Sequence, residues 1–474
     1  MKKARVIGAG LAGCEAAYQL LKGGAEVELF EMRPHKKTPA HVTGDFAELV
    51  CSNSLKSEDV FTSSGLLKRE MELMDSLILR CANAARIPSG SALAVDKERF
   101  SEAVQRGLAR FSKLTVVRRE TEKIENVPQI IATGPLTDGG LMDELQKLTG
   151  GAAYFFDAAA PIVSAESIDY ERAFFQSRYG KGGDGGYLNC PLDKDEYGRF
   201  YEELIAAECA EIRDFEERAV FSGCMPVEIM AKRGRDTLRF GPMRPVGIRG
   251  IDGKRPYAVV QLRRENAGGT MYNLVGFQTH LKFGEQKRVF SLIPALKNAE
   301  FLRFGVMHRN SYVLAPAVLK ETFALKAEGY GHIFIAGQLS GVEGYVESAA
   351  SGLVAAKNML RILPELSDAQ PFAPSKGTET GMRSHENIAN APQFMLSRET
   401  VSNISQFMPP PETMTGALCR HIAYAEAKDF QPMNSNFGLL PPLEKAVRDK
   451  KKRKEEYVRR AGAAMDEYIK NERK

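Results

Sequence analysis

The chain has 474 residues, 43% hydrophobic and 26% charged, a length and balance that suit a soluble protein of two or three domains with a large buried core. No stretch of about 18 apolar residues occurs, which argues against a membrane-spanning helix; the seven cysteines are odd in number, irregularly spaced and without a Cys-x-x-Cys pair, which argues against a disulfide framework or a zinc site. The net charge of +5 is concentrated: twelve basic against seven acidic residues from Glu444 to Lys474, and eight against three between 228 and 255, leave the remainder net acidic. Two such patches are either solvated helix faces or the footprint of a polyanionic partner.

In chain order, Met1-Lys2-Lys3 looks briefly like the start of a secretory leader. Glycines and Glu15 follow at once, so the segment reads as a strand and a nucleotide turn, and the expected compartment is the cytoplasm. Ala4-Arg-Val-Ile7 is a β-rich run entering Gly8-Ala9-Gly10-Leu11-Ala12-Gly13. Cys14 to Lys22 reads as a helix and Val27-Glu-Leu-Phe30 as a second strand, which completes a β-α-β unit. In this turn the first glycine makes the bend, the second lets backbone approach a pyrophosphate, and the third lets helix and strand pack closely. The helix N-terminus then offers N–H groups to the phosphates. Glu31 lies 18 residues after Gly13, where a carboxylate accepts from adenosine ribose hydroxyls and disfavours a 2′-phosphate. A Rossmann-like dinucleotide site is therefore predicted at Gly8, Ala9, Gly10, Leu11, Ala12, Gly13 and Glu31; the turn alone does not separate FAD from NAD.

Two later apolar strands, Gln129-Ile-Ile-Ala132 and His332-Ile-Phe-Ile-Ala336, each stop at a glycine-containing turn and are expected in the same sheet. Between them the texture changes: Tyr257-Ala-Val-Val-Gln-Leu262 and Met271-Tyr-Asn-Leu-Val-Gly-Phe277 predict a mainly β insertion, with helices near 195–212 and 284–297. The run Gly337 to Ser348, including Gly344 and Tyr345, enters a helix at about 344–358 and suits a second cofactor contact beside a flavin. The predicted fold is α/β. An FAD-binding domain occupies 1–159 and 299–365, with an inserted α+β substrate domain at 160–298. A Pro/Ser/Thr-rich excursion at 366–411 and a basic helical segment at 412–474 complete it. No metal site is predicted.

Two cysteines sit in suggestive surroundings. Cys51 lies in Glu48-Leu-Val-Cys-Ser-Asn-Ser-Leu55, and Cys224 in Phe221-Ser-Gly-Cys-Met-Pro-Val-Glu228, ahead of Lys232, Arg233, Arg235 and Arg239. Clustered cations favour a thiolate, as a nucleophile needs, while a lone cysteine also serves as a small buried hydrophobe; from the residues alone both readings stand.

The sequence closely resembles the folate- and FAD-dependent tRNA uracil-5-methyltransferases. The matching runs are Gly8 to Gly13, Phe30-Glu-Met-Arg-Pro34, Thr38-Pro-Ala-His41, Val50-Cys-Ser-Asn-Ser-Leu55, Asn189-Cys-Pro191 and Gly241-Pro-Met-Arg-Pro-Val246. They continue through Val275-Gly-Phe-Gln-Thr279, Val306-Met-His-Arg-Asn310, Gly341-Val-Glu-Gly-Tyr345, Phe430-Gln-Pro-Met433 and Phe437-Gly-Leu-Leu-Pro441, in order along nearly the whole chain. The main departure is the longer segment around 366–410.

The resemblance implies methylation at C5 of a uridine in the tRNA T-loop. Methylenetetrahydrofolate supplies the carbon, reduced FAD the electrons, and NAD(P)H serves as external reductant. It implies Cys224 as the nucleophile that adds to uracil C6 and Cys51 as the cysteine beside the flavin, with Glu343, Glu347, His308 and Tyr345 as candidates to take or orient the C5 proton. Competing readings are a ribosomal-RNA uridine as target, carboxymethylaminomethyl chemistry at the tRNA wobble uridine, a small-molecule NAD(P)H-dependent flavoprotein oxidoreductase, and a non-enzymatic RNA-binding flavoprotein.

Overall fold

The computed structural model describes residues 2–150, 152–158, 160–180, 186–210, 225–250, 252–265, 268–305, 307–368, 404–427, 430, 432–445 and 447–472. Lys3–Ile7 (β1) and Glu26–Phe30 (β2) lie side by side in a five-stranded parallel sheet whose order is Ile333–Ile335, Gln129–Ile131, β1, β2, Leu114–Val117. The helix between β1 and β2 is Leu11–Lys22 (α1). It starts three residues earlier than its apolar pattern suggests because Gly10, with extended backbone, already occupies the N-cap.

Every residue of α1 from Leu11 to Leu21 is buried, because the helix lies between the sheet and the long helix Tyr345–Asp368. Gly352 of that long helix packs directly on the α1 backbone: a Cβ there would stand 2.2 Å from the Ala12 carbonyl oxygen. Even Glu15 is fully buried. Its carboxylate accepts from Gln19 (2.9 Å), the Ser76 hydroxyl (2.7 Å) and the Ile78 N–H (2.9 Å), and so caps the helix Leu77–Ala84.

A second hydrophobic core gathers residues from Val163 to Ala299. Its six-stranded antiparallel sheet runs Phe174–Phe175, Leu188–Leu192, Ala258–Arg264, Met271–Leu274, Ile162–Ser164, Phe301–Arg303. The helix Lys194–Ala206 is started by a capping box between Asp193 and Glu196. It ends short of the predicted 212 because the chain turns to pair with another segment, Lys282 N–H reaching Glu208 O and Ala210 N–H reaching His280 O. Similarly, the predicted helix at 284–297 stops at Phe290, and a separate 3₁₀ turn begins at Pro294, which has no N–H with which to continue an α-helix.

The two cores are joined by a two-stranded antiparallel ribbon, Ala152–Ala158 against Met307–Val313, through which the chain both enters and leaves the second core. On the C-terminal side the helix from Tyr345 runs past the predicted 358 to Asp368, because Met359, Ile362, Leu363 and Leu366 continue its buried stripe. The predicted excursion therefore begins inside a helix. Most of its length, 369–403, lies outside the described residues, and by 407 the chain is back on the core. Phe407 is buried, and Asn358 clamps it by accepting its N–H and donating to its carbonyl. The basic C-terminal helix Lys450–Glu472 also docks, burying Ala461 and Met465, while Lys451, Lys452 and Arg453 face solvent.

Candidate functional site

A cleft of about 1130 Å³ opens at the carboxyl ends of β1, β2 and Gln129–Ile131, the position where open parallel sheets bind ligands. Gly8, Gly10, Leu11, Ala12, Glu31, Gly337 and Tyr345 all line it. Gly8 has φ +97°, a conformation that L side chains rarely adopt, and a Cβ there would meet the Ala132 carbonyl oxygen at 2.6 Å. Gly10 faces open space, so backbone can approach a bound pyrophosphate. Gly13 lies behind the wall, pressed against Gly8, and Gly344 lies against Glu347 and Lys56.

Glu31 has more work than its position at the end of β2 suggests. Its carboxylate accepts from the Ala9 N–H (2.9 Å), which fixes the glycine-rich turn, and from the N–H, Nε and Nη2 of Arg33 at 2.9–3.0 Å. Arg33, almost fully buried, also donates to Glu48 at 2.9 Å. Burial opposes ionisation of Glu31, but the Arg33 hydrogen bonds and charge outweigh it and hold the carboxyl below its usual range. With four donors already on its oxygens, a ribose hydroxyl reaching Glu31 shares an acceptor with the turn. Arg33 and Glu48 were not singled out from sequence. The only signal was Arg33 within Phe30-Glu-Met-Arg-Pro34; nothing pointed to Glu48.

Tyr345 opens the long helix and reaches Cys51. Its hydroxyl lies 2.9 Å from Cys51 Sγ and accepts the Cys51 N–H at 2.9 Å. Burial, with Cys51 beside it, pushes the phenol well above its ordinary pKa, so Tyr345 stays a neutral hydrogen-bonding group. The Cys51 segment is also where the two cores meet. Arg303 donates to the Val50 carbonyl (3.0 Å), and Arg263 to Asn53 Oδ1 (2.9 Å) and Ser52 Oγ (2.7 Å), while Asn53 donates to the Arg264 carbonyl (2.8 Å).

The remaining candidates divide. Glu347 is fully buried and accepts from Lys56 (3.0 Å) and from both the N–H and hydroxyl of Ser435. Burial works against its ionisation, yet Lys56 and Ser435 prevail and lower its pKa, which suits a structural anion better than a proton acceptor. Glu343 accepts from Gln338 at 2.6 Å. Cys224 lies outside the described residues, and so does the side chain of His308, whose backbone pairs with Asp157 in the ribbon.

Sequence spacing also missed Cys209, Glu228 and His280, whose ligand-type atoms lie within 4.8 Å of one another. Glu228 accepts from the Thr279 hydroxyl (2.8 Å) and the His280 N–H (3.0 Å), and its Oε1 lies 2.6 Å from His280 Nδ1, so the cluster is held as an ion pair. Burial lowers the His280 pKa, but the ring's interactions with Cys209 and Glu228 and the Glu228 charge raise it to about 9. In the other core, burial depresses His332 to about 4.

The two histidines set opposite limits. The His280 contribution is complete below its unfolded pKa of about 6.5 and is lost as pH rises towards 9. That of His332 is complete above about 6.5 and is lost as pH falls towards 4. Thermal melts should therefore peak near neutrality, His280→Gln flattening the alkaline limb and His332→Gln the acid limb. Each limb is worth on the order of 3 kcal/mol at most. An alkaline limb unchanged by His280→Gln would remove that pair from the account.

Fold and cleft together define a dinucleotide-binding α/β protein. A family model described as glucose inhibited division protein A matches residues 3–366. The methylenetetrahydrofolate–tRNA-(uracil-5-)-methyltransferase TrmFO of Desulfitobacterium hafniense (strain Y51) is 51% identical over 476 residues, which covers 99% of this chain and 98% of the relative. Its namesake from Desulforudis audaxviator (strain MP104C) is 52% identical over 462 residues, covering 96% and 95%. Among solved structures, Aquifex aeolicus GidA in its form II crystal shares the fold, with a TM-score of 0.61 at 14% identity over 98% of this chain and 74% of that one. The chain belongs to the glucose inhibited division protein A family and, within it, to the methylenetetrahydrofolate–tRNA-(uracil-5-)-methyltransferases. No described helix is long and apolar enough to cross a membrane.

Proposed function

We propose that this protein methylates C5 of a T-loop uridine in tRNA, using methylenetetrahydrofolate as carbon donor, FAD as bound cofactor and NAD(P)H as reductant, in the cytoplasm. The observation that carries the reading is the near-complete, half-identical match to enzymes named for folate-dependent tRNA uracil methylation.

The cleft fits a dinucleotide by its own chemistry. It has an open backbone approach at Gly10, the N–H groups of the first turn of α1, and an anionic Glu31 at the ribose end. FAD bound there supplies the reducing equivalents. Val50 and Tyr345 line the cleft there, with Cys51 held against the Tyr345 hydroxyl, and we assign Cys51 to guarding the flavin position.

Uracil C5 is a poor nucleophile until a group adds at C6. In this reading the Cys224 thiolate would add at C6, C5 would take the methylene as its bond to the donor nitrogen breaks, a base would remove the C5 proton, and the thiolate would leave C6 as the exocyclic carbon is reduced to methyl with the hydride equivalent that reduced FAD would supply. Cys224 lies just ahead of the short helix Val227–Lys232 in the second core, which we read as the substrate-side domain. We assign the C5 proton to Glu343, which accepts from the cleft-wall residue Gln338, because Glu347 is held by Lys56 and Ser435.

The direct test incubates purified protein with undermodified tRNA, methylenetetrahydrofolate and NADPH, and maps 5-methyluridine by nucleoside mass spectrometry. Cys224→Ala is expected to lower product by at least a thousandfold while FAD remains bound. Normal turnover by that variant would refute the nucleophile assignment, and product at a ribosomal-RNA uridine only would move the target.

A further inference from the structure

Three side chains that the proposed reaction does not use meet in the second core. Cys209, Glu228 and His280 bring one sulfur, one carboxylate oxygen and one ring nitrogen within 4.8 Å of one another. Glu228 is fully buried, His280 is 7% exposed and Cys209 is half-buried. Charged groups taken out of water are ordinarily paired and hydrogen-bonded, or bound to a metal. Here the pairing is incomplete. His280 Nδ1 lies 2.6 Å from Glu228 Oε1, yet it makes no hydrogen bond. At that separation only the angle can fail, so the ring nitrogen points past the oxygen. Such a contact suits a cation shared by both atoms better than a shared proton.

The three groups are mounted on chain that is itself tied together. Cys209 bridges Leu281 in antiparallel fashion, with the Ala210 N–H on the His280 carbonyl at 2.8 Å. On the other side the Val227 N–H reaches the Gln278 carbonyl at 2.7 Å. The Glu228 carboxylate is aimed by two further donors, the Thr279 hydroxyl on Oε2 (2.8 Å) and the His280 N–H on Oε1 (3.0 Å). Outer hydrogen bonds of this kind orient a ligating carboxylate, and each oxygen keeps a second lone pair for an ion.

The donor set decides the class of cation. Thiolate, imidazole and carboxylate together select a borderline-soft ion of the zinc class, whereas magnesium and calcium take oxygen ligands. Tetrahedral zinc bonds hold neighbouring ligand atoms about 3.3–3.6 Å apart, so Nδ1 and Oε1 need to separate by less than about 1 Å.

We propose that Cys209, Glu228 and His280 bind a divalent ion of the zinc class, filling three of its four tetrahedral positions. The ion ties the segment at Cys209, the helix Val227–Lys232 and the run 278–282 into one unit. Residues 210–227, with Cys224 among them, lie between two of the ligands in sequence, so the ion closes that stretch of chain into a ring. The site stands whether or not Cys224 is the nucleophile. The alkaline limb expected for His280 then belongs to the metal-free protein.

The test uses full-length, FAD-loaded protein stripped with a chelator and then given Zn²⁺ or Co²⁺ alone. About one ion per chain should bind, counted by elemental mass spectrometry. Co²⁺ should add the d–d absorption of a tetrahedral thiolate site, to the red of the flavin bands. Zn²⁺ should raise the melting temperature by about 5 °C and shield Cys209 from alkylation. Cys209→Ala and His280→Gln should each weaken Zn²⁺ binding more than about a hundredfold and abolish the melting shift, with flavin content unchanged. Shielding of Cys209 in the unsubstituted protein decides the matter where a variant does not fold. Stripped protein that takes up no stoichiometric ion would overturn the site and leave an ion-paired cluster only. Uptake undiminished in both variants would overturn it as well, marking an adventitious surface ion.

Discussion

Gly13→Ala is expected to yield colourless, largely unfolded protein. A methyl group at this position would stand 1.8 Å from the Gly8 carbonyl oxygen and 3.0 Å from its carbonyl carbon, both backbone atoms. Gly8 cannot retreat, because its N–H is bonded to the Phe30 carbonyl at 2.8 Å and its far side abuts the Ala132 and Thr133 backbone. Relief requires α1 to lift from β1, but the helix is buried along its length and pinned behind by Gly352. The cost falls in the class of core overpacking against backbone, more than about 4 kcal/mol, which exceeds a large part of an ordinary domain's stability. The measurement is flavin absorbance per chain after purification, with a thermal melt. Gly284→Ala, which meets no atom within 4 Å, is the control that should change neither. A yellow Gly13→Ala protein melting with the wild type would show that the glycine-rich turn is looser than described.

Glu31→Ala should be the second severe loss, through charge rather than shape. It removes the acceptor of the Ala9 N–H and leaves the Arg33 guanidinium, whose side chain is 3% exposed, with only Glu48 as an acidic partner. Removing one member of a buried ion pair costs roughly 3–5 kcal/mol, because the remaining charge stays desolvated. Both FAD retention and stability should fall, and Glu31→Gln should fall less, since its amide oxygen still accepts from Ala9. Equal effects of Ala and Gln would mean that charge, and not the turn's hydrogen bond, sets the outcome; no effect of either would remove Glu31 from the site.

The β-α-β unit and the glycine-rich turn were legible because their information is local: strand, turn and helix lie within thirty residues, and each glycine has its own steric task. The long helix from Tyr345 was legible at its start and not at its end, since Pro364 interrupts the apolar pattern without breaking the helix. What escaped was long-range. Glu48 reaches Arg33 only because the chain between them folds back, and Cys209, Glu228 and His280 meet across some seventy residues. The commitment of Glu347 to Lys56 and Ser435 likewise joins three distant segments. Carboxylate position in a sequence says where a charge is; the donors that decide its protonation come from elsewhere in the fold.

The ribbon of Ala152–Ala158 against Met307–Val313 makes the second core a detachable cassette. Ala158 and Met307 face each other across the ladder, so their Cα atoms lie about 5 Å apart, a gap that a two-residue hairpin turn closes. Exchanging cassettes between relatives at this doorway would leave the parallel sheet and its cleft uncut. On the proposed reading, target choice and redox chemistry could thus be swapped as separate parts.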